Sequence, residues 1–295
     1  LYFFSYTILF LSALFMSVES YRASLESGGQ SRKFMVSLPT TLLPGASLLI
    51  GLHGSTQRGS IMRKTTEFDA IAEEENLVIF YPDAMDGIWK DGRDDDAGVD
   101  DVQFMSDLVD YAANEYGIDR AKTYLVGVSN GGFMTQRVLC ERPGLFCAAA
   151  CVIANLGLDL SRRCSPGSLP SLFLLAGTAD PVVPFEGGYV HRPDGSRYLG
   201  GILSFENSVA HWRGQGLWDQ LAKEQDYTLN DGVQVSETLY TSSHHDEQMK
   251  VVLVHGGGHF WFGKEMPEAL QKTFGPTTLE YQTTREIWAF FSGLA

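Results

Sequence analysis

The sequence predicts an α/β fold in which a mostly parallel central sheet is flanked by helices on both faces. Short apolar runs recur along the chain, and segments with helical periodicity lie between them. Several runs are apolar at successive residues, which is typical of strands buried on both faces of a parallel sheet. The alternation of strands and helices favours right-handed crossovers between parallel neighbours.

Seven apolar runs are predicted to be strands, at residues 34–38, 47–52, 77–81, 123–128, 148–153, 172–176 and 250–254. Residues 102–116 carry apolar side chains at three- and four-residue spacing, which predicts an amphipathic helix. Asp100 or Asp101 is expected to cap its start. Residues 185–201 are rich in glycine and polar side chains, so a long loop that shapes access to a site is expected there, with an ordered surface excursion as the alternative.

The composition predicts one large core and argues against nucleic-acid binding. With 295 residues, 44% of them hydrophobic, and no repeat or low-complexity linker, residues 21–295 are predicted to form a single domain. The formal net charge of -14 repels nucleic acid and anionic membrane surfaces, so neither is an expected partner.

The first seventeen residues carry no charge, and Val18, Glu19 and Ser20 follow them. This pattern predicts a signal peptide of residues 1–20 that is cleaved before Tyr21. An uncleaved membrane anchor is the alternative, although the apolar run is short for a span. Removal of the leader predicts a secreted protein, extracellular or periplasmic, without stable membrane association.

Four cysteines in an exported chain allow three complete pairings. If Cys147 and Cys151 share one strand, their Cα atoms are about 13 Å apart, beyond the reach of a disulfide. A bond between Cys140 and Cys164 is preferred, because Cys140 lies late in a predicted helix and Cys164 lies in the loop before the next strand. Buried free thiols are the alternative.

Ser129 lies where a predicted strand runs into a predicted helix, within Gly127-Val128-Ser129-Asn130-Gly131. A serine on such a turn projects its hydroxyl above the carboxyl edge of the sheet, within reach of a base and a carbonyl. The two glycines are expected to let strand and helix approach closely. Ser129 is therefore predicted to be a nucleophile, and a glycine-rich turn with a capping serine is the alternative.

A serine nucleophile requires N–H donors for the oxyanion that forms when it attacks a carbonyl. The backbone of Asn130, directly after Ser129, is one predicted donor. The second is expected from the loop after strand 47–52, where Ser55 follows His53 and Gly54. His53 itself is interpreted as a structural hydrogen-bonding residue.

The base and the acid are expected after Ser129 in the order serine, acid, histidine. His259 follows three glycines beyond the last predicted strand, and His255 is the alternative base. Asp180 follows strand 172–176 and is predicted to orient the imidazole, with Asp159 as the alternative acid.

Four motifs in this order, HGSTQ at His53, GVSNGG at Gly127, GTADPVVP at Gly177 and GGGH at Gly256, resemble the polyhydroxybutyrate depolymerase-like and feruloyl esterase-like enzymes of carbohydrate esterase family one. The resemblance covers about residues 30–292. It implies an α/β-hydrolase fold, a triad of Ser129, Asp180 and His259, and an oxyanion hole at Ser55 and Asn130.

The chain departs from this family at two places. The family often has cysteine where Ser55 stands, and a Trp-Pro pair after the histidine, whereas this chain continues from His259 as Phe-Trp-Phe. Three tryptophans are weak candidates for aromatic substrate platforms, with burial in the core as the alternative: Trp89, Trp212 and Trp261.

No metal or cofactor is expected. A calcium site is a minor alternative for the acidic stretch of Asp91, Asp94, Asp95, Asp96, Asp100 and Asp101, but its spacing does not match a calcium-binding loop. A solvated loop that leads into a capped helix is the simpler interpretation.

The expected function is hydrolysis of carboxylic esters through an acyl-enzyme. The expected substrates are feruloyl or acetyl esters of plant polysaccharide, or short hydroxyalkanoate polyesters, so the partner is an ester that can be polymeric. Two alternatives are kept: a catalytically silent secreted protein that binds a polymer, and a serine peptidase on the same fold.

Overall fold

The computed structural model describes residues 18–93, 98–191, 198–216 and 218–294. In chain order its strands are β1 (Glu19–Ser27), β2 (Gln30–Leu38), β3 (Ser47–Leu52), β4 (Leu77–Pro82), β5 (Thr123–Val128), β6 (Ala148–Val152), β7 (Ser171–Gly177), β8 (Gly188–His191), β9 (Tyr198–Ile202), β10 (Gln220–Thr228), β11 (Gln234–Thr241) and β12 (Met249–Val254). Its helices are α1 (Gly59–Thr66), α2 (Asp69–Ala72), α3 (Asp101–Tyr116), α4 (Asn130–Glu141), α5 (Leu158–Arg163), α6 (Phe205–Gly216), α7 (Glu268–Phe274) and α8 (Thr283–Ser292), and a 3₁₀ turn spans Met85–Gly87.

Ten of these strands form one sheet in the order β1-β2-β4-β3-β5-β6-β7-β12-β11-β10. The six strands from β4 to β12 in this order pair in parallel. The two strands at each edge pair antiparallel. This arrangement confirms the predicted mostly parallel sheet, and all seven predicted strands occur in it, as β2 to β7 and β12.

The parallel strands are buried on both faces, and alternate side chains enter different cores. In β3, Leu48, Ile50 and Leu52 join a cluster that also contains residues of α3, α4 and α6. Leu49 points to the other face, into a cluster with residues of α1, α2 and α8. The helices therefore cover both faces, as predicted.

The segment predicted as a long loop is instead partly a hairpin. β8 and β9 pair antiparallel, and an isolated bridge between Gly157 and Ile202 ties the hairpin to the segment after β6. The described glycines Gly188, Gly200 and Gly201 lie in this small two-stranded ribbon outside the main sheet, so the described part of the segment fits the alternative of an ordered surface excursion better than a long loop. Residues 192–197 lie outside the described residues.

The predicted helix at residues 102–116 is confirmed as α3. Asp100 caps it, since its carboxylate accepts a hydrogen bond from the backbone N–H of Gln103 at 2.9 Å. The disulfide preference is also confirmed: Cys140 and Cys164 are bonded, with their Cα atoms 5.3 Å apart, whereas Cys147 and Cys151 are free.

The predicted leader falls mostly on residues 1–17, which lie outside the described residues. β1 begins at Glu19, two residues before the predicted cleavage point, and the leader boundary stays a prediction. None of the helices in the described part of the chain is long and apolar enough to cross a membrane.

Candidate active site

Ser129 occupies a sharp turn between β5 and α4. Its backbone has φ 53° and ψ -120°, a region that non-glycine residues rarely adopt. A Cβ atom at Gly127 would lie 2.1 Å from the Gly131 carbonyl oxygen, and one at Gly131 would lie 2.3 Å from the Leu52 carbonyl oxygen. Only glycine fits at either position, which confirms that the motif allows a close approach of strand and helix.

Ser129, His259 and Asp180 form a continuous chain of hydrogen bonds. The Ser129 Oγ lies 2.9 Å from His259 Nε2, and His259 Nδ1 lies 2.6 Å from Asp180 Oδ2. When Nδ1–H donates to the carboxylate, Nε2 is left as the acceptor of the serine hydroxyl proton. His259 and Asp180 are buried while Ser129 is partly exposed, so this arrangement can draw a proton from a hydroxyl that a substrate can reach.

Asp180 is fixed by the backbone that follows it. Its second oxygen, Oδ1, accepts hydrogen bonds from the N–H groups of Val182 and Val183, both at 2.8 Å. One carboxylate oxygen therefore binds the backbone of its own turn, and the other binds His259. The alternative acid, Asp159, lies elsewhere, with a 68% exposed side chain that pairs with Arg162.

His259 is held by the last residue of α7 and by the chain that follows it, contacts that the sequence did not predict. Its N–H donates to the Phe274 carbonyl at 2.5 Å, and the Gly258 N–H donates to the Pro276 carbonyl at 2.7 Å. The Phe274 ring lies nearly parallel to the imidazole, with centroids 6.3 Å apart. No motif marks Phe274, and only the helix stop at Gly275 hints at a turn there. The alternative base, His255, contacts Ser236 instead.

The predicted oxyanion donors flank the nucleophile. The Gly54 carbonyl accepts from His53 Nδ1 at 2.7 Å and from the Gln57 N–H at 3.2 Å. Because C=O and N–H point in opposite directions across a trans peptide, the Ser55 N–H is turned away from these partners. Gly54 borders Ser129, since a Cβ atom built on it would lie 3.6 Å from the Ser129 Cβ. Neither the Ser55 N–H nor the Asn130 N–H has a hydrogen-bond partner among the described residues.

His53 is buried with both ring nitrogens bonded. Nε2 accepts from the Ala84 N–H at 3.1 Å, so Nδ1 carries the proton that it donates to Gly54. Burial lowers the pKa of His53, although the Gly54 carbonyl opposes this shift. These contacts support the interpretation of His53 as a structural hydrogen-bonding residue.

The three candidate platform tryptophans are all in the core, with exposed fractions of 1% for Trp89, 0% for Trp212 and 1% for Trp261. Their indole N–H groups are bonded within the protein, that of Trp212 to Gln136 and that of Trp261 to Thr284. The substrate-platform prediction therefore needs correction, because a ring so deeply packed has no open face for a ligand.

The described acidic residues of the 91–101 stretch have partners within the protein. Asp91 pairs with Arg93 at 2.6 Å, and Asp101 pairs with the buried Arg32 at 2.5 Å. Asp94, Asp95 and Asp96 lie outside the described residues. The described part of the chain contains no cluster of histidine, cysteine or carboxylate groups that could hold a metal ion.

The chain is similar in sequence to a peptidase family and to several esterases. The model of the prolyl oligopeptidase family matches residues 84–162. A bifunctional acetylxylan esterase/xylanase of Neocallimastix patriciarum is 30% identical over 54% of this chain and 23% of its own length. Feruloyl esterase C of Emericella nidulans is 26% identical over 53% of this chain and 58% of its own length. Poly(3-hydroxyalkanoate) depolymerase C of Paucimonas lemoignei is 25% identical over 38% of this chain and 29% of its own length.

These three relatives are thus matched over less than two thirds of their own lengths. Among solved structures, an acetyl xylan esterase from Aspergillus awamori has a TM-score of 0.63 at 15% identity, covering 93% of this chain and 100% of that one. That structural likeness shows the α/β-hydrolase fold. In sequence, the chain is similar to proteins named as esterases over part of their lengths.

Proposed function

We propose that this chain is a secreted serine hydrolase that cleaves carboxylic esters through an acyl-enzyme. The observation that carries the proposal is the hydrogen-bonded chain from Ser129 Oγ through His259 to Asp180, at 2.9 and 2.6 Å. Ser129 is the nucleophile, His259 the general base and Asp180 the residue that orients the imidazole.

In the first half-reaction, Ser129 Oγ attacks the ester carbonyl carbon while its proton moves to His259 Nε2. The Ser55 and Asn130 N–H groups stabilise the oxyanion of the tetrahedral intermediate, and each such donor is typically worth about 3–4 kcal/mol in the transition state. His259 then gives its proton to the leaving alcohol. Water, deprotonated by the same nitrogen, attacks the acyl-enzyme, releases the acid and restores Ser129.

The proposed secretion is supported by the apolar segment at residues 1–17 and by the disulfide between Cys140 and Cys164. Disulfides persist mainly in oxidising compartments, outside the cytosol. The proposed substrates are feruloyl or acetyl esters of plant polysaccharide, or hydroxyalkanoate polyesters, by analogy with the relatives named above.

The central test is nucleophile identity. Wild-type protein should give a burst with p-nitrophenyl acetate and become labelled by a fluorophosphonate at Ser129, and Ser129→Ala should lose both. Ser236→Ala is the matched control, because Ser236 Oγ lies 2.8 Å from His255 Nε2 but has no place in the triad. Full turnover by Ser129→Ala contradicts the proposal, and absence of labelling in wild-type protein favours a silent polymer-binding protein.

A serine peptidase is the second candidate, and the prolyl oligopeptidase match to residues 84–162 favours it. That segment carries the turn at Ser129 but neither Asp180 nor His259. A pair of substrates with the same acyl group, one a p-nitrophenyl ester and the other a p-nitroanilide, separates the two. The ester hydrolase proposal predicts a much higher kcat/KM for the ester; comparable kcat/KM values support the peptidase.

The acyl specificity requires a substrate panel. Methyl ferulate, acetylated xylan, polyhydroxybutyrate and short p-nitrophenyl esters differ in acyl group and in the size of the alcohol. We expect kcat/KM on a polysaccharide ester or a polyester to exceed that on the simple esters. If only the short p-nitrophenyl esters are cleaved, the polymer part of the proposal is wrong.

A further inference from the structure

Residues 84–93 connect the two halves of the proposed oxyanion hole. We call this segment the strap. It runs from the end of β4 through the 3₁₀ turn, and its central side chain, Trp89, is 1% exposed. An indole this deeply packed cannot serve as an open substrate platform, but its hydrogen bonds reach both the loop that carries Ser55 and the turn at Ser129.

On one side, the strap holds the loop that carries Ser55. The Trp89 indole Nε1–H donates to the His53 carbonyl at 3.0 Å, and the two rings pack with their centroids 5.1 Å apart. The Thr56 N–H donates to the Gly87 carbonyl at 2.7 Å. Together with the bond from the Ala84 N–H to the His53 ring, these contacts bracket Ser55 from both sides.

On the other side, the same residue holds the nucleophile turn. The Trp89 N–H donates to Asn130 Oδ1 at 2.8 Å, and Asn130 Nδ2 donates to the Trp89 carbonyl at 3.1 Å. Asn130 Nδ2 also donates to Asp91 Oδ2 at 2.6 Å, and Arg93 in turn pairs with that carboxylate. Both polar atoms of the Asn130 side chain are thus hydrogen-bonded to the strap, while its backbone N–H has no hydrogen-bond partner among the described residues.

We propose that Trp89 is a positioning residue that sets the spacing between the Ser55 and Asn130 N–H groups. The inference rests on the proposed function, because it assigns Trp89 a role in the same oxyanion hole. An oxyanion donor acts only within about 2.7–3.1 Å of the oxygen that it stabilises, so a small shift between two donors weakens binding of the transition state more than binding of the substrate.

The test deletes one hydrogen bond. Trp89→Phe removes the indole N–H and keeps an aromatic ring beside His53. Trp218→Phe is the matched control, because Trp218 is also 1% exposed and its Nε1–H also donates to a backbone carbonyl, that of Glu247 at 2.9 Å. With p-nitrophenyl acetate, Trp89→Phe should lower kcat about tenfold with KM within about twofold, whereas Trp218→Phe should change neither by more than about twofold.

A second readout separates positioning from general loosening. A trifluoromethyl ketone forms a tetrahedral adduct with the serine, so its affinity reports on the oxyanion hole. Trp89→Phe should weaken its inhibition by the same factor as kcat, and Trp218→Phe should leave it unchanged. Thermal unfolding of both variants checks that each is folded at the assay temperature.

Asn130→Ala provides the second variant, because it keeps the backbone N–H but releases the strap. Its loss in kcat should be non-additive with that of Trp89→Phe, since both variants act on one connection. Equal kcat and inhibitor affinity in Trp89→Phe and wild-type protein overturn the inference. Absence of ester turnover in wild-type protein overturns the proposed function instead, so the two failures are distinguishable.

Discussion

At Asp180, the two carboxylate oxygens have different partners, which makes a single-atom replacement informative. In Asp180→Asn, the amide oxygen can keep the bonds from Val182 and Val183, and the NH₂ group then faces His259 Nδ1. That group donates where an acceptor is needed, so the imidazole takes the wrong tautomer. We expect kcat to fall about 10³–10⁴-fold with little change in KM, as measured with p-nitrophenyl acetate.

Asp159→Asn is the control for this prediction. Asp159 precedes His259 in the chain as Asp180 does, but its exposed side chain pairs with Arg162. Its kcat should stay within about twofold of wild type, because an exposed ion pair contributes little. A large loss in Asp159→Asn, with an active Asp180→Asn, would reassign the acid.

His53 gives a pH-dependent prediction. Burial lowers the pKa of His53 below the 6.5 of a free imidazole, so the folded protein favours the neutral ring. The unfolded chain binds a proton at His53 more readily than the folded protein does. The stability that comes from the neutral, buried ring is therefore present above pH 6.5 and is lost as the pH falls below that value. The free energy of unfolding should therefore decrease from about pH 7.5 to pH 5.5, and less steeply in His53→Asn, which has no titrating ring. Urea unfolding at the two pH values measures both slopes, and equal slopes contradict the assignment.

The residues of the proposed triad could be selected from the sequence because each follows a recognisable strand or glycine run in a fixed chain order. The contacts of Phe274 and Trp89 could not be predicted. The Phe274 carbonyl accepts from the His259 backbone N–H, and Trp89 donates to His53 through its indole and to Asn130 through its backbone N–H. Neither set of contacts leaves a periodic or motif signal. Sequence patterns show which side chains are apolar, but not which backbone groups meet.

At the scale of elements, the turn between β5 and α4 tolerates no added methyl group. Gly127→Ala would place a Cβ atom 2.1 Å from the Gly131 carbonyl oxygen, so strand and helix would have to separate. We expect the free energy of unfolding to fall by about 3 kcal/mol or more, measured by urea unfolding.

Gly214 offers the matched comparison, because it lies in α6 and a Cβ atom there meets nothing within 4 Å. Gly214→Ala should raise the free energy of unfolding by about 0.5–1 kcal/mol, since alanine has the higher helix propensity. Similar stability changes in the two variants would show that close packing at Gly127 is not what the motif requires.

Five strands were not predicted: β1 and β10 at the two edges of the sheet, β11 next to β10, and β8 and β9 in the hairpin. β1 and β10 carry mostly exposed side chains, with sequences ESYRASLES and QLAKEQDYT. A strand with little burial needs no apolar run, so the signal that identified β3 to β7 is absent. β8 and β9 are only 4 and 5 residues long, and the glycines among them pointed to a loop.

At the scale of the whole molecule, α4, the helix that directly follows Ser129, is held in place at both ends. Its start is fixed by the contacts of Asn130 with the strap, and near its end Cys140 is bonded to Cys164 after α5. α5 in turn follows Gly157, which bridges to the β8–β9 hairpin. The disulfide therefore connects the helix behind Ser129 with the segment that carries the hairpin, on one face of the sheet.

Because of this disulfide, we expect the stability of the protein to depend on redox conditions. The bond joins residues 24 positions apart, and closing a loop of this size stabilises a fold by about 3 kcal/mol, mainly by restricting the unfolded chain. Dithiothreitol should therefore lower the free energy of unfolding of the wild-type protein by about that amount in urea titrations. The Cys140→Ala/Cys164→Ala variant should start from the lower stability and show no response to the reductant. Cys147→Ala should keep the full response, because Cys147 is a free thiol. A wild-type protein that is insensitive to dithiothreitol, or a double variant that still responds, would contradict this assignment.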